Sequence, residues 1–213
     1  MIADGQNPVY LRVLTFWGFR RSVPKPIFRA MAILKIARMG HPILATRAAP
    51  VSDPTAPEIR RLVNDMIETM ADANGAGLAA PQVHVPLRVV VFQAPGERST
   101  DPGLSGEEAF DHTAPLTVLV NPEIAVLDAK PEGGWEGCLS VPGLRGWVER
   151  PAHIHYRGFG LDGKLIERTA RGFHARVVSH ECDHLEGRLY PSRMSDLSKL
   201  VFESEIRHVM AAQ

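Results

Sequence analysis

The clearest hydrophobic pattern in the chain predicts an amphipathic helix over residues 55–73. Six apolar residues recur there at helical spacing: Ile59, Leu62, Val63, Met66, Ile67 and Met70. Residues three or four positions apart lie on one face of a helix, so this stripe is expected to face the core. Residues 55–58 have the sequence of a capping box, with Pro57 in the first turn.

Shorter apolar runs further along the chain predict strands. They cover residues 87–92, 116–120, 124–127, 146–149, 154–158 and 164–169. Asp162 and Gly163, between the last two runs, predict a hairpin turn. Residues 95–115 are rich in Gly, Pro, Ser, Asp and Glu and are expected to form an exposed loop.

Helical spacing returns in the last third of the chain. One helix is expected to begin near Phe173, to continue through His184 and to stop at Gly187. Ser195 or Asp196 is expected to cap a final helix. Its apolar positions would be Leu197, Leu200, Val201, Ile206 and Val209. A helix, then many strands without strand–helix alternation, then helices predict an α+β fold.

Composition and charge narrow the class of protein. Lys plus Arg equals Asp plus Glu at 24 each, which argues against a strongly basic nucleic-acid binder. No apolar run approaches the ~20 residues that span a bilayer. The two cysteines are too few for a disulfide framework, so a reducing compartment such as the cytoplasm is expected.

The first thirty residues differ from the rest because they hold five basic residues and one acid. We expect residues 1–30 to be a basic extension that is not part of the fold, and residues 31–213 to form a single domain. The alternative is a transit peptide that directs import into an organelle.

His180, Glu181 and His184 form an H-E-x-x-H sequence in a predicted helix. Positions i and i+4 lie on one helical face, so both imidazoles can reach one metal ion. Glu181 follows at ~100° around the helix axis, close enough to take a proton from water at that ion. The simpler alternative is two surface histidines beside a solvated carboxylate.

A catalytic metal site usually has a third protein ligand. Cys182 is poorly placed for this role, ~200° around the helix from His180, and is expected to face the core. Three distant residues remain as candidates: Cys138, Glu203 and Glu205. Either glutamate would complete the site of a zinc-dependent endopeptidase.

Three segments resemble, in the expected order, the motifs of the peptide deformylases. They are GAGLAAPQ at residues 75–82, EGCLS at residues 136–140 and HECDHLEG at residues 180–187. The resemblance covers nearly all of residues 31–193. It implies antiparallel sheets packed around a central helix that carries the H-E-x-x-H motif, to which the sequence adds a C-terminal helix. Ala76 replaces the usual Ile, and Ser179 replaces a frequent Gln.

The resemblance also implies an activity, the hydrolytic removal of the formyl group from N-terminal formyl-methionine with release of formate. It implies one metal ion per chain, held by Cys138, His180 and His184. Fe²⁺ is expected, with Zn²⁺, Ni²⁺ or Co²⁺ able to substitute. A non-catalytic metal-binding relative is a further alternative.

The roles of the other site residues follow from the same resemblance. Glu181 is the expected base, while the Gln82 side chain and the Leu139 backbone N–H are expected to donate to the formyl oxygen. Gly75 and Gly77 would let an extended peptide pair like an added strand. The residues expected to contact substrate are Gly75, Ala76, Gly77, Glu136, Gly137 and Arg145.

Two expectations concern the surroundings of the site. Glu136 and Arg150 are expected to form a buried charge pair that supports the cysteine segment, and Arg145 is expected to line the substrate entrance. The expected partners are N-formylmethionyl polypeptides at the ribosome exit, with no nucleic-acid sequence recognition and no membrane. The sequence leaves the oligomeric state open.

Overall fold

The chain has an α+β fold with one antiparallel sheet and few helices. The computed structural model describes residues 32–96 and 106–210, so the predicted extension at residues 1–30 lies outside the described residues. The strands are β1 (Gly77–Ala79), β2 (Val89–Ala94), β3 (Ala114–Cys138), β4 (Val141–Phe159), β5 (Leu165–Arg171) and β6 (Leu200–Phe202). The helices are α1 (Pro57–Asp72), α2 (Gly106–His112), α3 (Gly172–Leu185) and α4 (Ile206–Met210). Among the described helices, none is long and apolar enough to cross a membrane.

The strands follow one another across the sheet in the order β1-β2-β3-β4-β5, and β6 pairs with β4. Each pair is antiparallel, with Val90 opposite Leu119 and Trp135 opposite Trp147. The sequence predicted two short strands in each of the regions that form β3 and β4. Irregular register, for example between Asp128 and Pro131, breaks the alternation of side chains within these long strands.

The predicted hairpin between β4 and β5 is confirmed. Phe159 pairs with Leu165 across it, and Gly163 has a φ of +75°. The Asp162 side chain accepts a hydrogen bond from the backbone N–H of Lys164 at 3.0 Å. Glycine has no Cβ and adopts a positive φ without strain, which suits it to this turn.

Strand β2 is buried on both faces, which explains its continuous apolar sequence. Side chains alternate along a strand. One set packs with α3 in a cluster that includes Val90, Phe92, Leu119, Ile154, Tyr156, Val178 and Leu185. The other set packs with α1 in a cluster that includes Val63, Met66, Leu78, Val89 and Val91. These two clusters hold both long helices against the sheet, and each fully buried large side chain contributes about 1.5–3 kcal/mol.

Helix α1 lies where the apolar stripe predicted it, but the predicted cap is wrong. Ala56 is the N-cap residue and makes no side-chain hydrogen bond to the helix. The Thr55 hydroxyl instead donates to Asp53 at 2.7 Å, and the same carboxylate accepts from the backbone N–H of Thr55 at 2.8 Å. The nearby carboxylate therefore holds the threonine in a turn before the helix starts.

The predicted loop at residues 95–115 is wrong for its second half, because residues 106–112 form α2. Residues 97–105 lie outside the described residues. Helix α2 is fixed by tertiary contacts: the backbone oxygen of Phe110 accepts from Arg168, and the Asp111 side chain accepts from the Thr169 hydroxyl at 2.6 Å. A composition rich in Gly and Ser does not reveal such contacts.

The predicted C-terminal helix is wrong over most of its length. Asp196 caps only a three-residue 3-10 turn, where it accepts from the N–H of Ser198 at 2.9 Å. The following residues form β6, in which Val201 pairs with Arg145 of β4. Within the predicted helix, only α4 at Ile206–Met210 is α-helical, while Leu197–Lys199 and Glu203–Glu205 are short 3-10 helices. Pairing with β4 satisfies the backbone groups of this segment and overrides its helical spacing.

Candidate metal centre and substrate cavity

Helix α3 places His180 and His184 one turn apart on the same face. The ring centroids of the two histidines are 5.0 Å apart. The helix spans Gly172–Leu185, and Gly187, with a φ of +68°, follows its end as the sequence predicted. Buried apolar residues of α3 anchor it in the core, so the histidine positions are set by a rigid element.

Cys138 reaches the two histidines from the end of β3, where it pairs with Val141 at the turn into β4. Its Sγ lies 3.3 Å from Nε2 of His184. The ligand atoms of Cys138, His180 and His184 all lie within 4.8 Å of one another. A tetrahedral ion with bonds of about 2.0–2.3 Å requires ligand atoms about 3.3–3.8 Å apart, so this donor set suits one divalent ion after small side-chain shifts.

The other candidate third ligands have different contacts. Glu203 accepts a hydrogen bond from Nε of Arg145 at 3.0 Å, and Glu205 lies 3.8 Å from His208. Among the described residues, the only group of three or more potential ligand side chains does not include either glutamate. The geometry therefore does not support the site of the alternative endopeptidase.

A buried network of charges lies behind His180. Oε2 of Glu136 is 2.8 Å from Nδ1 of His180, and the carboxylate also accepts two hydrogen bonds from Arg150, at 2.8 and 2.9 Å. The expected pair of Glu136 and Arg150 is therefore confirmed. Arg176 donates to Glu136 at 2.9 Å, and Arg150 bonds to Asp183. Because Nδ1 of His180 is held by Glu136, its Nε2 is left for a metal ion.

Burial shifts the pKa values of the ionisable side chains around the metal centre. Burial lowers the pKa of His184 well below its usual value, and the charges of His180 and Arg150 add to this effect. The neutral imidazole is the form that binds metal. Burial opposes ionisation of Glu136, but hydrogen bonds from Arg150 and His180 outweigh it and hold the pKa of this carboxyl well below its usual range. Burial raises the pKa of Glu181 to about 7.

Glu181 packs tightly against Gly77, the first residue of β1. A Cβ on Gly77 would overlap the Glu181 carboxyl, so any larger residue at this position would displace that carboxyl. The Glu181 side chain is buried, and its Oε2 has no hydrogen-bond partner within the described part of the chain. An unpaired buried carboxylate oxygen is costly unless a bound molecule satisfies it.

Gln82 and Ser140 surround the thiol of Cys138. The buried Gln82 side chain accepts from the N–H of Ala79 at 2.8 Å and donates from Nε2 to the Ser140 hydroxyl at 3.1 Å and to the thiol at 3.5 Å. The backbone N–H of Ser140 also donates to the thiol, at 3.4 Å. No role for Ser140 follows from the sequence pattern, although this residue lies two positions after Cys138 in the EGCLS motif.

A cavity of about 410 Å³ opens beside these residues. The predicted residues that line it are Gly75, Ala76, Gly77, Gln82, Glu136, Gly137, Cys138, Leu139, Arg145, His180 and Glu181. Its wall also contains Phe173, Arg176 and Val177, which the sequence analysis missed. Arg176 lies four residues before His180, and this helical spacing could have indicated that it shares a face with the histidine.

Arg176 occupies its place because of Gly134 on β3. A Cβ on Gly134 would lie 2.8 Å from Cζ of Arg176, closer than side chains normally approach. The guanidinium donates to backbone oxygens of Glu132 at 2.7 Å and Val148 at 2.8 Å. The glycine and the arginine therefore form one wall of the cavity together.

One thiol, two imidazoles and a buried carboxyl beside an open cavity define a metal-dependent hydrolase. The family model described as polypeptide deformylase matches residues 33–200. The chain belongs to the peptide deformylase family. It is a hydrolase that removes the N-formyl group from nascent polypeptides.

Similar proteins and structures agree with this assignment. Peptide deformylase 2 of Bordetella bronchiseptica is 52% identical over 166 residues, 77% of this chain and 89% of that protein. Peptide deformylase 2 of Pseudomonas syringae pv. tomato is 48% identical over 174 residues, 80% of this chain and 92% of that protein. The Met-Ala-Ser-bound class I type b peptide deformylase of Acinetobacter baumannii has a TM-score of 0.67 at 36% identity, covering 77% of this chain and 99% of that chain.

Proposed function

We propose that this deformylase acts on N-terminal formyl-methionine with one Fe²⁺ ion held by Cys138, His180 and His184, and releases formate. The observation that carries the proposal is the convergence of three ligand atoms within 4.8 Å beside an open cavity. A bound ion supplies Lewis-acid polarisation of a carbonyl and lowers the pKa of water. Zn²⁺, Ni²⁺ and Co²⁺ suit the same nitrogen and sulfur donors.

Glu181 is the proton carrier in this proposal. It takes a proton from the attacking water molecule and delivers it to the amine nitrogen as the C–N bond breaks. The proton is needed because an amine leaves poorly as an anion. The burial of Glu181 and its unpartnered Oε2 in the described structure support this role, since the reacting water would satisfy that oxygen.

Gln82 and Leu139 stabilise the negative charge that develops on the formyl oxygen. In this proposal the Gln82 side-chain amide and the Leu139 backbone N–H donate to that oxygen. The hydrogen bond from Ala79 to Oε1 of Gln82 supports it, because this bond fixes which end of the amide faces the cavity. The contact of Nε2 with the Cys138 thiol places the donor next to the ligands.

The substrate main chain binds along residues 75–77 as an added strand. Strand β1 begins at Gly77 and pairs with β2 on one side, and it stands at the end of the strand order. The outer edge of such a strand offers free backbone groups to an extended peptide. Ala76 leaves room for the side chain of the first substrate residue. Gly137 and Arg145 line the path along which the rest of the bound peptide extends out of the cavity.

Glu136 contributes through His180. Its two carboxylate oxygens are engaged by His180, Arg150 and Arg176, so in this proposal the carboxylate orients the metal ligand. A carboxylate bonded to a ligating histidine fixes the ring and raises its basicity. We therefore assign the Glu136 side chain a positioning role.

The proposal extends to the setting of the reaction. We place α3 as the central helix of a single domain at residues 31–213, because its apolar side chains lie within the larger core cluster. The bacterial relatives favour a cytoplasmic enzyme that meets new chains at the ribosome exit, with an organelle as the alternative. Residues 1–30 would be an extension dispensable for catalysis.

The test combines metal analysis with formate release. Protein purified without oxygen should hold one Fe²⁺ per chain and release formate from formyl-Met-Ala-Ser. Glu181→Gln should retain the ion but lose about 10²–10⁴-fold in kcat. Glu186→Gln, which changes a more exposed carboxylate after the same helix, should keep its activity. An active Glu181→Gln protein would contradict the assigned role.

A further inference from the structure

Arg145 and Glu203 meet at the accessible rim of the cavity. Arg145 lies on β4 and pairs with Val201 of β6, and Glu203 follows β6 directly. Nε of Arg145 donates to Oε1 of Glu203 at 3.0 Å, and Nη2 of the same arginine contacts the same oxygen. Both residues line the cavity. The short strand β6 therefore brings a carboxylate from the end of the chain to the substrate route.

The rim pair is exposed to solvent but lies close to the reactive end of the cavity. The Arg145 side chain is 38% exposed, and the Glu203 side chain is 52% exposed. A Cβ on Gly137 would lie 2.6 Å from Nη1 of Arg145, so the guanidinium lies against the main chain one residue before Cys138. In the proposed binding mode, a peptide whose first residue binds beside Cys138 extends past these two charges towards solvent.

The two charges nearly cancel at this point of the route. The contacts of Glu203 with Arg145 use only Oε1, so Oε2 of this half-exposed side chain is not engaged by the arginine. The match to the family ends at residue 200, so Glu203 lies beyond the matched region. The pair acts on a bound peptide through electrostatic interactions alone, and no covalent step is involved.

We infer that Glu203 sets the charge preference of this deformylase for the second and third residues of its substrate. Its carboxylate neutralises Arg145 and leaves one oxygen for a lysine or arginine side chain of the peptide. Without that carboxylate, Arg145 would present an uncompensated positive charge and favour acidic peptides. The inference rests on the proposed binding mode, in which the peptide leaves the metal centre past the rim.

The size of the effect follows from Coulomb's law. One unit charge about 4 Å away changes an interaction by roughly fivefold in water, and by more where solvent is partly excluded. Such an effect at an exposed rim weakens as ionic strength rises, because the Debye length shortens from ~30 Å at low salt to ~3 Å at 1 M. It should act mainly on KM, since the charges lie away from the reacting atoms.

The experiment compares four metal-loaded full-length proteins on three peptides. The proteins are wild type, Glu203→Gln, Arg145→Gln and the matched control Glu205→Gln. The control removes the same charge two residues away, at a position that does not line the cavity. The peptides are formyl-Met-Lys-Lys, formyl-Met-Ala-Ser and formyl-Met-Asp-Asp. The measured quantity is kcat/KM, with KM and kcat separated, at low and at high ionic strength.

Glu203→Gln should raise the ratio of kcat/KM for the acidic peptide to that for the basic peptide by about fivefold or more at low salt. The shift should appear in KM and shrink at high salt, while Glu205→Gln should match wild type. Arg145→Gln should shift the ratio in the opposite direction. An unchanged ratio in Glu203→Gln, or an equal shift in Glu205→Gln, would overturn the inference alone. A wild-type protein inactive on all three peptides would overturn the proposed function and this inference with it.

Discussion

The inner wall and the rim of the cavity use the same kind of ion pair in opposite surroundings. Glu136 on the inner wall and Arg150 behind it have side chains only 4% and 6% exposed, and their hydrogen bonds extend to the proposed metal ligand His180. Arg145 and Glu203 at the rim are 38% and 52% exposed. Burial, rather than the pairing itself, therefore decides whether a charge fixes the geometry of the site or only changes the preference for substrates.

Free energies explain this difference. A buried ion pair that loses one partner leaves an uncompensated charge in a poorly solvated place, which costs about 3–5 kcal/mol. Water and salt screen an exposed pair, whose contribution is about 0–1 kcal/mol. The inner pair is therefore expected to be indispensable for structure, whereas the rim pair can vary without loss of the fold.

Removing the inner carboxylate should have the largest effect. Glu136→Gln leaves Arg176 without its carboxylate partner and Arg150 with Asp183 alone, and it should lower the free energy of unfolding by about 3–5 kcal/mol. It should also weaken metal binding by about 10–100-fold, because His180 loses the carboxylate that orients it. Denaturant unfolding and metal titration measure the two effects. Wild-type stability and affinity in this variant would show that the network does not support the site.

His174 is a buried histidine away from the proposed metal ligands. It therefore tests how burial alone affects the pH dependence of stability. Burial lowers the pKa of His174 from 6.5 to about 4. Since the folded pKa is below the unfolded value, its contribution to stability is full above pH 6.5 and is lost as pH falls toward 4. As pH falls from 6.5 to 4, the free energy of unfolding should therefore decrease by up to about 3 kcal/mol less in His174→Gln than in wild type.

The comparison for His174 needs an exposed histidine as a control. His41→Gln should keep the pH dependence of wild type, because that side chain is exposed. Denaturant midpoints at several pH values give the measurement. Parallel pH profiles for wild type and His174→Gln would show that protonation of this buried group does not contribute to acid unfolding.

A single methyl group at the inner wall should disturb catalysis without removing the metal ion. Gly77→Ala places a Cβ where the Glu181 carboxyl lies. A displacement of about 1 Å in a catalytic group lowers the rate by about 10²-fold. Formate release should fall by that factor, while the metal content stays at one ion per chain. Gly96→Ala is the control, since the nearest atom to its Cβ is 3.6 Å away.

The rim should show the smallest effect on stability. A double-mutant cycle of Arg145→Gln and Glu203→Gln should give a coupling free energy of unfolding below about 1 kcal/mol. The same cycle for Arg150→Gln and Glu136→Gln should give a larger value. Equal coupling in the two cycles would remove the proposed distinction between the inner wall and the rim.

Local patterns predicted the elements that carry the chemistry. Helix α3 follows from its spacing and from the glycine after its end, and the segment with Cys138 follows from a short motif. The C-terminal segment has helical apolar spacing, which predicts a helix. It forms β6 instead because it pairs with β4, a strand more than fifty residues earlier in the chain. Apolar spacing within Leu200–Phe202 carries no information about that partner.

The same reasoning applies to the site. Its motif residues could be found from the sequence, whereas Arg176 and its position beside Gly134 depend on how α3 packs against β3. The contact of Glu203 with Arg145 likewise requires β6 to lie beside β4. Sequence spacing identified Glu203 as a candidate ligand, but tertiary packing joins it to an arginine. Residues that act through distant neighbours are therefore the ones that a sequence pattern misses.

A comparison of the two cysteines of the chain tests the proposed metal centre most directly. Cys138 lies among the proposed ligands, while Cys182 packs against the core and burial raises the pKa of its thiol to about 12. Wild type and Cys182→Ser, purified without oxygen, should each hold one Fe²⁺ per chain and release formate from formyl-Met-Ala-Ser. Cys138→Ser should retain little iron and little activity. A Cys138→Ser protein with one ion per chain and wild-type activity would contradict the proposed metal centre.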